Sequence, residues 1–412
     1  MLALAREIKI IQLHGTSENL TVTSLLMTLQ RPSVSVMQVL QSFRDILHKK
    51  HKIAETWKNQ NKHPVIGWNS TYTPEEIVHA TNALPVRILG SMEATTTLAD
   101  AYLPRNACSF ARSTLDLALK GNYNYLDGLV TSNSCDNFGK TYDLWKHYTK
   151  IPYFHFINTP HTNTQKSHEF FYNELLRFKE PLEKTFKTPI TNKTLQNTIK
   201  TYNQNRTLLK KLYNLRKKDP PLITGAEALE IVLSSMLTTK QTHNKLLKQL
   251  LKEIPNRLDP PKPGVRLLIT GSIMDTPNLL NITETVGGIA VTDDLCTGTR
   301  YFWNLIDEAE KDPIKAISKR YLNKIPSPFM HDYRQERFNH IKQLIKDYKV
   351  EAVINFLLKF CDTHMFDTPI LTEQLQTQDI PILNIEYEHT RSGIAPIKTR
   401  IEAFIEMVKG VP

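Results

Sequence analysis

Apolar residues along this chain follow two different periods, and the switches between them divide it. From His63-Pro-Val-Ile-Gly-Trp onward, short apolar runs alternate with segments whose apolar residues recur at helical spacing. That alternation is the mark of buried parallel strands covered by helices on both faces. The runs predict strands over 63–68, 85–90, 127–131 and 151–157, with helices over 73–80, 111–119 and 140–148. A turn-rich segment, Asp259-Pro-Pro-Lys-Pro-Gly, opens a second series of the same kind. It predicts strands over 265–272, 287–292, 350–360 and 380–386, with helices over 278–286 and 400–408. Between the two series, 167–178, 195–217 and 239–253 read as long amphipathic helices broken at Pro189, Pro220-Pro221 and Pro255. The expected fold class is therefore α/β: two Rossmann-like domains with mainly parallel sheets, plus N-terminal and connecting helical segments. The expected boundaries are a helical N-terminal segment 1–60, a first α/β domain 61–165, a helical connector 166–258 and a second α/β domain 259–412.

With 412 residues the chain has length for more than one core. No stretch approaches the roughly 18 uninterrupted apolar residues that a membrane-spanning helix needs, and Arg6, Glu7 and Lys9 interrupt any signal-peptide core. The expectation is a cytoplasmic protein without a membrane partner. A net charge of +11 fits a polyanionic partner. The basic residues, such as Lys210, Lys211, Arg216, Lys217 and Lys218, are spread along long helices and read as solvated faces. With no nucleic-acid-binding motif, no nucleic-acid partner is expected. The chain also has no G-x-G-x-x-G and no Walker-type lysine motif, which excludes a nicotinamide dehydrogenase as the leading reading; Gly271-Ser272 and Gly287-Gly288 read as turns.

Chemistry concentrates in four cysteines. Cys108 lies in Asn106-Ala-Cys-Ser-Phe-Ala-Arg-Ser, Cys135 in Leu126-Asp-Gly-Leu-Val-Thr-Ser-Asn-Ser-Cys-Asp, and Cys361 follows the β-rich run 350–360. The three thus read as thiols just past strand ends in two separated regions, where parallel sheets bind ligands, and this placement suggests convergence on one shared site. Three thiolates suit an iron-sulfur cluster with one iron left for a non-protein ligand. Equally, free cysteines are often small buried hydrophobes. Spacing alone leaves both readings open, because no Cys-x-x-Cys pair is present.

As a whole the chain resembles the 2-hydroxyacyl-CoA dehydratase D-component family, which includes the core subunits of ATP-dependent benzoyl-CoA reductase. The resemblance is carried by the two cysteine segments above together with Tyr72-Thr-Pro-Glu-Glu-Ile-Val-His-Ala, Asp293-Asp-Leu-Cys-Thr-Gly-Thr-Arg-Tyr-Phe, Phe360-Cys-Asp-Thr-His and Thr399-Arg-Ile-Glu-Ala-Phe. It implies that Cys108, Cys135 and Cys361 ligate one [4Fe-4S] cluster between the α/β domains. Cys296, in a motif the family shares, is not one of the three matched ligands. One departure is Ser392-Gly-Ile-Ala-Pro, where family members often have glutamine after the glycine.

The resemblance further implies a subunit of an enzyme that eliminates water from a 2-hydroxyacyl-CoA through a ketyl radical. The alternatives are a core subunit of a benzoyl-CoA-type reductase and a non-catalytic electron-relay subunit. The implied partners are a homologous second subunit, an ATP-hydrolysing iron-sulfur activator and the acyl-CoA substrate. Glu76 matches the family's acidic position in the first βα unit and is the candidate catalytic carboxylate. The same residue would complete a Thr73-x-x-Glu76 capping box, with Pro74 at the first helical position. His364 and Asp362 would tune the cluster by hydrogen bonds, and Arg105 or Arg112 would meet the CoA phosphates.

Overall fold

The structure is a computed structural model and describes residues 35–93, 95–390 and 393–410. The expected helical character of residues 1–34 therefore lies outside the described residues, as does Ser392. The rest of the N-terminal segment is two helices, Val36–His48 and Lys50–Asn61. The first carries the apolar stripe Val36, Val39, Leu40, Phe43, Ile46 and Leu47 on one buried face.

Among the described residues, eight strands form two sheets. In the first, β1 (Val65–Trp68), β2 (Leu84–Arg87), β3 (Gly128–Ser132) and β4 (Tyr153–Ile157) lie in the order β2-β1-β3-β4. In the second, β5 (Val265–Gly271), β6 (Gly288–Asp294), β7 (Ala352–Leu358) and β8 (Ile382–Tyr387) repeat that order as β6-β5-β7-β8. Every pairing is parallel. The α/β architecture with two parallel sheets is as the periodicity implies. In each sheet the chain steps outward once and then crosses back, so helices leave opposite faces between β1 and β3 and between β5 and β7. The carboxyl ends of those strands are where a crevice opens.

The two halves share a core. Leu89, Phe110 and Ala111 of the first pack with Leu267, Ile269, Ile354, Phe356 and Ile401 of the second. Helix Gly225–Ser235, absent from the periodic reading, is buried at every position. A helix buried all round has no solvent face to set a period, and buried Glu227 and Glu230 interrupt its apolar run.

Two local expectations are corrected. The capping box does not form: the helix runs Glu75–His79 behind Pro74 with no side-chain cap, and the Thr73 hydroxyl is buried without a partner. The Glu76 carboxylate is instead drawn to Arg206, and it accepts from the Tyr321 hydroxyl at 2.9 Å. Arg216 is not on a solvated face either. It is 1% exposed, donates to the Ala290 carbonyl at 2.7 Å and lies over the Tyr213 ring.

Candidate functional site

All three expected ligand cysteines cap helices. Cys108 precedes Ser109–Leu119, Cys135 precedes Asp136–Tyr148 and Cys361 precedes Asp362–Gln376. The helix over 140–148 thus begins four residues earlier than its apolar pattern indicated, because its first turn sets a single apolar residue, Phe138, among Asp136, Asn137 and Gly139. Free N–H groups and the positive end of the helix dipole at such positions favour an anionic sulfur.

The three thiols meet in one cavity of about 90 Å³, several times the roughly 10–15 Å³ that a single water needs. Its wall is built from the carboxyl ends of both sheets. Asn69 to Tyr72 follow β1, Arg87 ends β2 and Cys135 follows β3; Ile273 follows β5, Cys296 follows β6 and Cys361 follows β7. Cys135 and Cys361 follow strands that hold corresponding places in the two sheets. A larger groove of about 630 Å³, lined by His168, Tyr172, Asp312, Lys315 and Lys319 among others, holds no cysteine. The chemistry sits in the smaller cavity.

Burial, followed by the neighbouring Cys361, pushes the Cys108 thiol up to about 12. Burial and then Cys361 likewise raise Cys135. Burial raises Cys361 against hydrogen bonds from Ser272 and the His364 N–H. Three sulfurs that feel one another's charge stay protonated in so dry a pocket unless a cation replaces their protons, as metal ions do. Among the described residues no three His, Cys, Asp or Glu side chains gather closely enough to hold one ion. Sulfurs distributed around a cavity suit a multi-iron cluster, in which each binds a different iron. The donor set fits such a group.

Asn137 is a residue that sequence reasoning missed. Its Oδ1 accepts from the Cys108 N–H at 3.1 Å, and its Nδ2 donates to the Phe360 carbonyl at 3.3 Å. Lying two residues after Cys135, it ties all three cysteine loops together. The signal in the sequence was a polar side chain in the first turn after a cysteine. We expect Asn137→Ala to leave the buried Cys108 N–H unpaired, at a cost of about 1–3 kcal/mol, and to release the part-buried Phe360 carbonyl. Chemical denaturation would read that loss, which Asn137→Asp should reduce because its remaining oxygen still accepts from Cys108.

Other expected residues fall differently. Glu76 is fully buried and is not part of the cavity wall. Burial works against its charge, but Arg206 and Arg320 overcome this and hold the carboxyl below the usual range. His364 lines the cavity as a neutral ring, its pKa driven well down by burial and then by Arg300 and Arg337. Arg105 is exposed, Arg112 pairs with Asp100 at 2.9 Å, and neither lines the cavity. Cys296 does line it. Its loop is pinned by Asp293, whose Oδ1 accepts from the Thr299 N–H at 2.8 Å, and by Thr297, which donates to the Met274 carbonyl at 2.7 Å.

Residues 70–408 match the model of the 2-hydroxyglutaryl-CoA dehydratase, D-component family. The chain belongs to that family. Among its relatives is the (R)-phenyllactyl-CoA dehydratase beta subunit of Clostridium sporogenes, 29% identical over 369 residues that cover 88% of this chain and 97% of that protein. The lactoyl-CoA dehydratase subunit beta of Anaerotignum propionicum is 25% identical over 90% of this chain and 99% of its own length. A benzoyl-CoA reductase subunit of Thauera aromatica is 26% identical over 86% of this chain and 94% of its own length. A member of the dehydratase D-component family, the chain is an enzyme component of dehydratase type. No helix among its described residues is long and apolar enough to cross a membrane.

Proposed function

We propose that this chain is a subunit of a 2-hydroxyacyl-CoA dehydratase and holds one [4Fe-4S] cluster through Cys108, Cys135 and Cys361. The observation that carries the reading is the convergence of these three cysteines, each at a helix N-terminus, on one cavity between the carboxyl ends of both sheets. When bound, such a cluster supplies the low-potential electron that converts a 2-hydroxyacyl thioester into a ketyl radical able to expel its 2-hydroxyl group.

The chain's own residues orient and exclude. Asn137 fixes the three cysteine loops relative to one another. Phe110, Phe138, Ile273 and Leu358 supply an apolar wall that limits water and strengthens electrostatic interactions inside. Glu76 enters as a positioning residue: its pairing with Arg206 and Tyr321 holds the helix that follows the 69–72 wall segment.

The names of the relatives as beta subunits support a homologous second subunit as partner. An ATP-hydrolysing iron-sulfur activator belongs to the same reading, and so does a cytoplasmic location. Relationship to a benzoyl-CoA reductase favours a second reading, a reductase in which the electron is retained by an aromatic thioester. The test is an anaerobic assay of the reconstituted complex with activator, ATP and each thioester. Water loss without net reductant consumption is expected; stoichiometric consumption of reductant would replace the dehydratase reading with the reductase one.

A further inference from the structure

Buried arginines in this fold are generally paired. Arg206 meets Glu76, Arg337 meets Asp294 and Asp367, and Arg257 meets Glu227. Arg87 is different. It ends β2, is 2% exposed, and carries its guanidinium 4.6 Å from the centre of the Trp68 ring. Its Nε and Nη1 are buried with no hydrogen-bond partner. The carboxylates whose charge reaches it are engaged elsewhere: Glu75 with Lys240 at 3.3 Å, and Asp275 with His389 at 2.6 Å.

A buried cation without an anion is costly, and buried charges are normally paired. Arg87 lines the cavity that holds Cys108, Cys135, Cys296 and Cys361. Lys324, also 2% exposed, lies behind the same wall and donates to the Thr71 carbonyl at 2.6 Å rather than to a carboxylate. Among the described residues, no Asp or Glu lines the cavity. The cavity is therefore built for negative charge that the protein's carboxylates do not provide.

We infer that Arg87 is the charge partner of the cluster, its guanidinium countering the negative charge that this cavity would hold and favouring the reduced state. This rests on the cluster reading above. The electron balance is simple. A low-potential one-electron donor is oxidised, the cluster gains one electron and one unit of negative charge, and no bond or proton moves. A fixed cation close by stabilises the product of that step more than its reactant, and hydrogen bonds to cluster sulfurs are among the factors that set cluster potentials.

The experiment compares anaerobically purified wild type, Arg87→Gln and Arg87→Lys by iron and sulfide content and by a redox titration followed by electron paramagnetic resonance. The expected result is normal loading in all three. The reduction equilibrium of Arg87→Gln should fall by about tenfold or more, which is about 59 mV per decade for one electron, with most of this restored in Arg87→Lys. A Gln variant that does not load beside a Lys variant that loads at the wild-type potential would equally support a charge role. An unchanged potential in Arg87→Gln, equal shifts in both variants, or failure of both to load would overturn it. If wild type itself binds no iron, the cluster reading fails, and that outcome is distinct from a loaded protein whose potential ignores Arg87.

Discussion

Single alanine substitutions of Cys108, Cys135 and Cys361 are expected to abolish cluster retention. Each variant, purified without oxygen, should lose the iron, the acid-labile sulfide and the visible absorbance of the wild type, and with them all thioester-dependent activity. The expectation follows from the donor set, since three sulfurs hold the group and two would leave a second iron open to water and exchange. Cys296→Ala should retain the cluster. The fold should tolerate all four changes: Cys108 is the only one of these residues that is fully buried, and its truncation exposes no charge. Far-ultraviolet circular dichroism alongside the iron assay separates loss of ligand from loss of structure. Full iron retention in any of the first three variants would remove that residue from the ligand set.

Glu76 carries the second large effect, on stability. Its carboxylate faces Arg206 and Tyr321 in a site with no solvent exposure. Removing one partner of a buried ion pair leaves the other charge uncompensated, at a cost of about 3–5 kcal/mol, so Glu76→Ala should be severely destabilised and Glu76→Gln less so. The pH dependence has a definite sign. Because the folded carboxyl is held below its ordinary value, its contribution is fully present above about pH 4.3 and is lost as the pH falls through the folded value. Urea denaturation at pH 7, 5 and 3 should show a gap between wild type and Glu76→Gln that is wide at pH 7 and narrows in acid. A gap independent of pH would remove the ion-pair account. As a positioning residue, Glu76 should leave the pH profile of kcat near neutrality unchanged in the Gln variant. Loss of the acidic limb of that profile together with most of kcat would instead make it the proton acceptor.

Much of this molecule was legible in its sequence because strands buried on both faces leave uninterrupted apolar runs. The eight strands fall within two residues of those runs, apart from the 85–90 run, whose strand ends three residues earlier at Arg87. Cys135 and Cys361 could be read as residues past strand ends, whereas Cys108 follows the turn at Ala99–Ala101 well beyond β2, and the cysteine motifs located the family. Helices buried on every side, such as Gly225–Ser235, were not legible, and neither was the start at Asp136, where Phe138 stands alone among polar residues and glycine. Glu76 shows the limit most clearly. Locally it reads as a capping residue, but Arg206, 130 positions away, offers a charge that a backbone N–H does not match.

By itself, then, the chain's pattern of apolar runs and cysteine motifs determined an α/β protein with two parallel sheets and named the thiols worth attention. Tertiary structure alone decided which segments wall the cavity those thiols share, that Asn137 ties their loops together, and that Arg87 stands in that wall without a carboxylate partner among the described residues. The reason is physical. Periodicity records whether a residue faces the interior of its own element, whereas a site between two sheets depends on distances between segments hundreds of residues apart, which only packing sets.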